Sequence, residues 1–299
     1  MDFKDAVYEN EKVTLKGVKN FNIKQVFECG QCFRWEKSDR GYIGVAFGKV
    51  IELEEKDEDI IIHNTNEEDF KNIWIKYFDL ERDYSKIKEE LAQDEILKKS
   101  VDYGYGIRIL NQDPFEILIS FIISARNSIP VISKTIKKIS EMWGKPVEYN
   151  GNTYYTFPTL ESLKDATEDE IRSTGASFRS KYIFDTVQKL YKCSLGIEGF
   201  EEYDLNRIKS LSDDDCHTEM QKFAGVGAKV SDCVILFSME KYSAFPVDVW
   251  VKRAMGHFYG MPDVSLPKIR MAAREKFGRL SGFAQQYLFY YARENHIKI

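Results

Sequence analysis

Lys229 closes the run Phe223-Ala224-Gly225-Val226-Gly227-Ala228-Lys229, and Asp248 stands nineteen residues further on in Pro246-Val247-Asp248-Val249. A lysine amine can attack an electrophilic carbon and form a Schiff base with it. A carboxylate near that carbon stabilises positive charge that develops on it. Gly225-Val226-Gly227 lies between two helical patterns, where a Gly-x-Gly makes a tight hairpin whose backbone comes close to whatever lies outside. The N–H groups at the start of the following helix suit a phosphate. Each piece also has a plain reading. The hairpin can be an ordinary corner between helices, Lys229 a solvated helix lysine, and Asp248 a simple N-cap. A nucleotide P-loop is excluded, because the glycine spacing is wrong and no Lys-Ser/Thr pair follows.

Any such site needs a frame to hold it. The chain has 299 residues, 43% hydrophobic and 30% charged, with a net charge of −5. That is the balance of an ordinary soluble globular protein, with enough chain for one to three packed units. No apolar run approaches the roughly 20 residues of a membrane helix, and no secretory signal opens the chain. Five scattered cysteines, Cys29, Cys32, Cys193, Cys216 and Cys233, fit reduced thiols in a cytosol better than a disulfide framework. The charge is uneven. Residues 1–106 hold 17 basic and 24 acidic side chains, against 26 and 24 in residues 107–299. A nucleic-acid face therefore belongs mainly to the C-terminal part, where Lys137-Lys138, Lys252-Arg253, and Arg270 with Arg274 cluster.

The elements divide at the same place. From Val13 to about His63 the pattern is strand-like, with short β-rich runs at Phe33–Trp35, Tyr42–Phe47, Val50–Leu53 and Ile60–Ile62. Helices are expected at Glu67–Phe78 and between Tyr84 and Val101. Beyond Gly106 the sequence turns helical. Asp113-Pro114-Phe115-Glu116 reads as a capping box opening a nearly all-apolar central helix to about Ala125. A small hairpin is expected at Tyr149–Tyr155, and a short helix from Thr167 that Gly175 can end. Further helices are expected at Arg179–Lys192, Asp214–Lys222, Ala228–Ser238, Val249–Phe258, Pro267–Phe277 and Gly282–Glu294. The architecture is α+β: an antiparallel sheet domain with flanking helices over residues 1–106, then a larger helical region over residues 107–299.

Hairpin, Lys229 and Pro-Val-Asp248 in this register resemble the helix-hairpin-helix DNA glycosylase superfamily. Cys29-Gly30-Gln31-Cys32-Phe33-Arg34-Trp35 resembles the Gly-Gln-x-Phe-Arg-Trp motif of the 8-oxoguanine DNA glycosylases within it. Asp113–Phe121 resembles their central helix, and Gly282–Phe289 the segment that closes their base pocket. The resemblance runs nearly the length of the chain and fits a prokaryotic branch. It implies a TBP-like sheet domain followed by a helix-hairpin-helix catalytic region. It also implies base-excision repair: 8-oxoguanine is flipped from duplex DNA, its glycosidic bond is cut through a Lys Schiff base, and the strand is nicked by β-elimination.

By the same resemblance Lys229 is the nucleophile and Asp248 stabilises the sugar cation. The Gly30 carbonyl accepts the N7–H of 8-oxoguanine, where normal guanine presents a repelling lone pair. Gln285 bonds the Watson–Crick edge, and Phe289 and Cys233 stack on the two faces of the base. Gly225, Val226 and Gly227 meet the DNA backbone, and Arg126, Asn127, Phe178 and Arg179 meet the opened duplex. No cofactor is required, no metal site is expected, and a monovalent or divalent cation at the hairpin carbonyls is compatible with the pattern. The partner implied is double-stranded DNA carrying 8-oxoguanine, bound by a monomer in a prokaryotic cytoplasm at the nucleoid, with no membrane role.

Cys29-x-x-Cys32 has no second pair and no nearby His, so it reads as two unrelated thiols. The lack of a four-cysteine cluster after the hairpin speaks against an iron–sulfur relative. His63, His217, His257 and His296 show no ligand spacing. An alkyl-base glycosylase would use the Asp without a nucleophilic Lys, and a non-catalytic helix-hairpin-helix protein would need only the hairpin. The sequence also departs from the eukaryotic pattern. Arg126 stands where an Asn is expected, Val131 where an Arg reads the opposite cytosine, Phe178 where a Tyr precedes Arg179, and Trp250 where a His contacts a phosphate.

Overall fold

The computed structural model describes residues 1–297; Lys298 and Ile299, the end of the expected helical region, lie outside the described residues. Six strands, β1 (Asp5–Glu9), β2 (Lys12–Lys16), β3 (Trp35–Lys37), β4 (Gly41–Ala46), β5 (Lys49–Lys56) and β6 (Asp59–His63), form one antiparallel sheet. Their order is β1-β2-β6-β5-β4-β3. Register follows burial: Val13 pairs with Ile62 and Leu15 with Ile60, all four buried, so the apolar set of both strands falls on one face. Helices dominate after residue 106, as expected.

The strand-rich stretch differs from the sequence reading in two places. Phe33 and Arg34 precede β3. Ile23–Glu28 is a helix, capped by Asn22, whose side chain accepts the Gln25 N–H at 3.0 Å. Ile23, Val26 and Phe27 are its buried face. Six residues are too few for helical periodicity to stand out from a strand pattern.

Packing divides the chain into two compact units interleaved along the sequence. One comprises Met1–Gln31, Leu53–Asn111 and Glu240–Ile299; the other comprises Cys32–Glu52 and Gln112–Met239. The first unit is organised around Arg108, which is fully buried. Its guanidinium meets the Asp2 carboxylate at 2.7 Å, donates to the Phe78 carbonyl at 2.9 Å and lies 4.1 Å from the centre of the Tyr84 ring. A buried arginine persists only when its charge is paired and its donors are used. The second unit is built on the central helix Pro114–Ser124, in which every residue from Ile117 to Ile123 is buried. Phe121 of that helix stacks on Phe237 of the helix Ala228–Ser238 at 5.7 Å.

Only half of the expected capping box forms. Asp113 accepts the Glu116 N–H at 2.9 Å, but the Glu116 carboxylate faces Arg34 at 3.5 Å instead of returning to the cap. Burial pushes the Glu116 carboxyl up to about 7, against the opposing pull of Arg34. Arg34 also donates to the Tyr155 carbonyl in the hairpin β7 (Pro146–Tyr149) to β8 (Asn152–Tyr155).

Candidate active site

The expected site residues fall into two groups, one in each unit. In the first unit, Gly30 sits in the turn after the helix Ile23–Glu28 with φ of 81°, a conformation natural to glycine. The turn is locked from behind. The buried Gln31 amide donates to the carbonyls of Val26 at 3.0 Å and Arg108 at 2.7 Å, and its oxygen accepts the Leu110 N–H at 2.9 Å. Phe289 lies in front: a methyl group on Gly30 would stand 3.0 Å from its ring. Gln285 and Phe289 are one helical turn apart on Ser281–Glu294, hence on one face. Gln285 is buried, and its side-chain oxygen accepts from Gln286 at 2.9 Å. Arg293 ties the group together. It donates to the Glu28 carbonyl and places its guanidinium 5.2 Å from the Phe289 ring centre. The sequence reading missed Arg293, because nothing in its spacing announces a carbonyl partner 265 positions away.

Cys29 beside this turn is sealed. Burial pushes its thiol up to about 12, and the Gln31 amide donates to its sulfur at 3.3 Å. A thiol so poor in thiolate is unreactive. No group of three or more His, Cys, Asp and Glu side chains able to hold a metal occurs among the described residues.

Asp248, also in the first unit, caps the helix Val249–Tyr259 by accepting the Val251 N–H at 2.8 Å. Phe245, Pro246 and Val247 before it are buried, so the carboxylate is anchored from both sides along the chain.

In the second unit the helices Asp213–Met220 and Ala228–Ser238 flank the hairpin. Gly225 has φ of 81°, and a Cβ there would stand 2.7 Å from the Tyr182 ring; the turn needs glycine both for its backbone and for this approach. Gly227 is the N-cap, and Val226 donates to the Phe223 carbonyl at 3.1 Å. Lys229 follows in the first helical turn. Its amine lies 5.1 Å from the centre of the Phe121 ring and carries no hydrogen bond or ion pair among the described residues. Cys233 is buried one turn along the same face. Next to it Asp232 pairs with His217 across the hairpin at 2.9 Å, and Ser231 donates to the His217 carbonyl at 2.8 Å. His217, given no role from its spacing, is thus a strut between the two hairpin helices.

The end of the central helix is also braced. Arg126 adopts φ of 53°, and Asn127 caps the helix by donating to the Ile123 carbonyl at 3.2 Å. Arg179 is buried and donates to the carbonyls of Ala125 at 2.8 Å and Arg126 at 3.1 Å. The guanidinium expected to meet the opened duplex also braces this turn, through Nε and one terminal nitrogen. Phe178 beside it is half exposed, its ring 4.4 Å from that guanidinium. Val131 and Ile129 are exposed at the start of the next helix, Ile129–Trp143.

Comparison with known proteins adds the following. The family model for the 8-oxoguanine DNA glycosylase N-terminal domain matches residues 13–118. That of the HhH-GPD superfamily of base excision DNA repair proteins matches residues 119–279. The chain is 32% identical, over 73% of its length and 72% of the relative's, to a probable N-glycosylase/DNA lyase of Methanothermobacter thermautotrophicus. It is 30% identical to an Arabidopsis thaliana N-glycosylase/DNA lyase, over 88% of this chain and 75% of that one. Among solved structures it is similar to the 8-oxoguanine glycosylase/lyase of Clostridium acetobutylicum in complex with double-stranded DNA containing cytosine opposite 8-oxoguanine. That match has 57% identity and a TM-score of 0.95, and covers 99% of this chain and 100% of that one.

Proposed function

This chain belongs to the 8-oxoguanine DNA glycosylases of the helix-hairpin-helix superfamily, bifunctional N-glycosylase/DNA lyases, and from that premise we propose how its residues share the reaction. The 8-oxoguanine nucleotide is flipped out of the duplex. The Gly30 carbonyl accepts the N7–H that distinguishes the lesion from guanine. Gln285 reads the Watson–Crick edge, and Phe289 and Cys233 take the two faces of the base. The Lys229 amine attacks C1′ as the C1′–N9 bond breaks, and the base leaves with the bond's electron pair. Asp248 stabilises the cationic sugar in that transition state. Ring opening gives a Schiff base between Nζ and C1′. Its electron withdrawal acidifies the C2′ proton, whose loss expels the 3′ phosphate by β-elimination. The hairpin Gly225-Val226-Gly227 holds a backbone phosphate through the amides of Gly225 and Gly227, and Arg126, Asn127, Phe178 and Arg179 engage the opened duplex. The enzyme acts as a monomer on nucleoid DNA.

The observation that carries this reading is the amine of Lys229, placed in the first turn after the hairpin with no counterion among the described residues. No helix among the described residues is long and apolar enough to cross a membrane. The test is release of free base under single turnover from duplexes carrying 8-oxoguanine, an alkylated purine or no lesion. Release from the 8-oxoguanine duplex alone is expected. Release of the alkylated base alone would overturn the proposal in favour of an alkyl-base glycosylase.

A further inference from the structure

The helix Val249–Tyr259, capped by Asp248, contains no acidic residue and carries Lys252 and Arg253 side by side. Arg253 lies with its guanidinium 4.7 Å from the centre of the Trp250 ring, one turn back along the same face. Both side chains are partly exposed. Apart from that stack the guanidinium has neither hydrogen bond nor ion pair among the described residues. Elsewhere in the unit, arginines are tied down, as Arg82 is to Asp79 and Arg108 to Asp2.

Stacking uses the face of a guanidinium and leaves its in-plane N–H donors open. It also restricts a long flexible side chain and removes water from one face, which strengthens any anion contact the donors then make. Arg253 begins about 7.5 Å along the helix axis from Asp248. We infer that Arg253, held flat by Trp250, binds a DNA backbone phosphate flanking the nucleotide that Asp248 serves. This inference rests on the proposed function. The ring that stands where a phosphate contact was expected to be lost thus serves as the platform for another.

The test is equilibrium binding of the full chain to an 8-oxoguanine duplex and to the same duplex without the lesion, across a potassium chloride titration. Arg253→Gln should weaken binding to both duplexes by the same factor and make the slope of log K against log salt shallower by roughly 0.9, one phosphate contact. Arg253→Lys keeps the charge but loses the planar stack, so it should hold the wild-type slope with several-fold weaker binding. Trp250→Leu should behave like Arg253→Lys. An unchanged slope in Arg253→Gln, with normal wild-type binding, would overturn this inference alone. Binding indistinguishable from wild type in both Arg253→Lys and Trp250→Leu would overturn the role of the stack. A wild-type chain with no salt-dependent affinity for DNA would instead sink the proposed function.

Discussion

Gly30→Ala is a single methyl group with a calculable effect. The backbone at φ of 81° costs an L-residue about 1–2 kcal/mol. The new Cβ would stand 3.0 and 3.2 Å from two Phe289 ring atoms and 3.7 Å from Arg293. The turn cannot retreat, because Gln31 fixes it to Val26, Arg108 and Leu110. The ring must therefore move. Loss of roughly 2–3 kcal/mol of stability is expected, strain and displaced packing together, or a fall of about 4–12 °C in melting temperature. Displacing a ring that stacks on the flipped base should cost about 1–3 kcal/mol in recognition, so single-turnover excision at limiting enzyme should fall about five- to a hundred-and-fiftyfold. Binding to lesion-free DNA should hardly change. Gly30→Asn separates the two effects, since Asn tolerates the left-handed backbone yet carries the same Cβ. It should regain the backbone-strain part of the stability and remain slow. An Ala variant that melts and excises like wild type would refute the reasoning; a destabilised variant with normal excision would refute the role of the Phe289 ring.

Asp248→Asn should slow excision by about a hundredfold or more, because an amide stabilises the sugar cation poorly. Asn remains a good N-cap, so the melting temperature should hold; a rate within twofold of wild type would leave Asp248 as a cap only. The Glu116 carboxyl, raised to about 7 in the fold from the ordinary 4.5, binds its proton more tightly folded than unfolded. Its contribution to stability is thus fully present below about pH 4.5 and fades as the pH rises through 7. Glu116→Gln should flatten the urea-measured stability over that window, and an unchanged slope would count against it. Val131→Arg should add a preference for cytosine opposite the lesion of up to about 1–3 kcal/mol. Single-turnover rates on four duplexes differing in the opposite base should be closer together in wild type; a strict cytosine requirement there would contradict the reading of Val131 and Arg126.

The sequence made the local features legible. Ala228–Ser238 begins and ends as expected, because a glycine cap and an apolar run state its limits. The sheet and the Asp248 cap follow from periodicity and spacing in the same way. What escaped was long-range and polar. The Glu116 carboxylate chose Arg34 over its own helix cap, and local spacing cannot reveal a partner in another segment. Arg179 pairs with backbone carbonyls at Ala125 and Arg126, acceptors that every residue offers and no sequence marks. The His217–Asp232 strut and the Arg293 clamp on Glu28 belong to the same class.

The central claim is that the Lys229 amine forms the covalent bond to the sugar. Borohydride added during turnover reduces a Schiff base to a stable amine, joining protein to DNA. Wild type should give a trapped band with an 8-oxoguanine duplex and none with the undamaged one, and Lys229→Gln should give no band while still binding the lesion duplex. A trapped adduct of wild-type yield in Lys229→Gln would contradict the account.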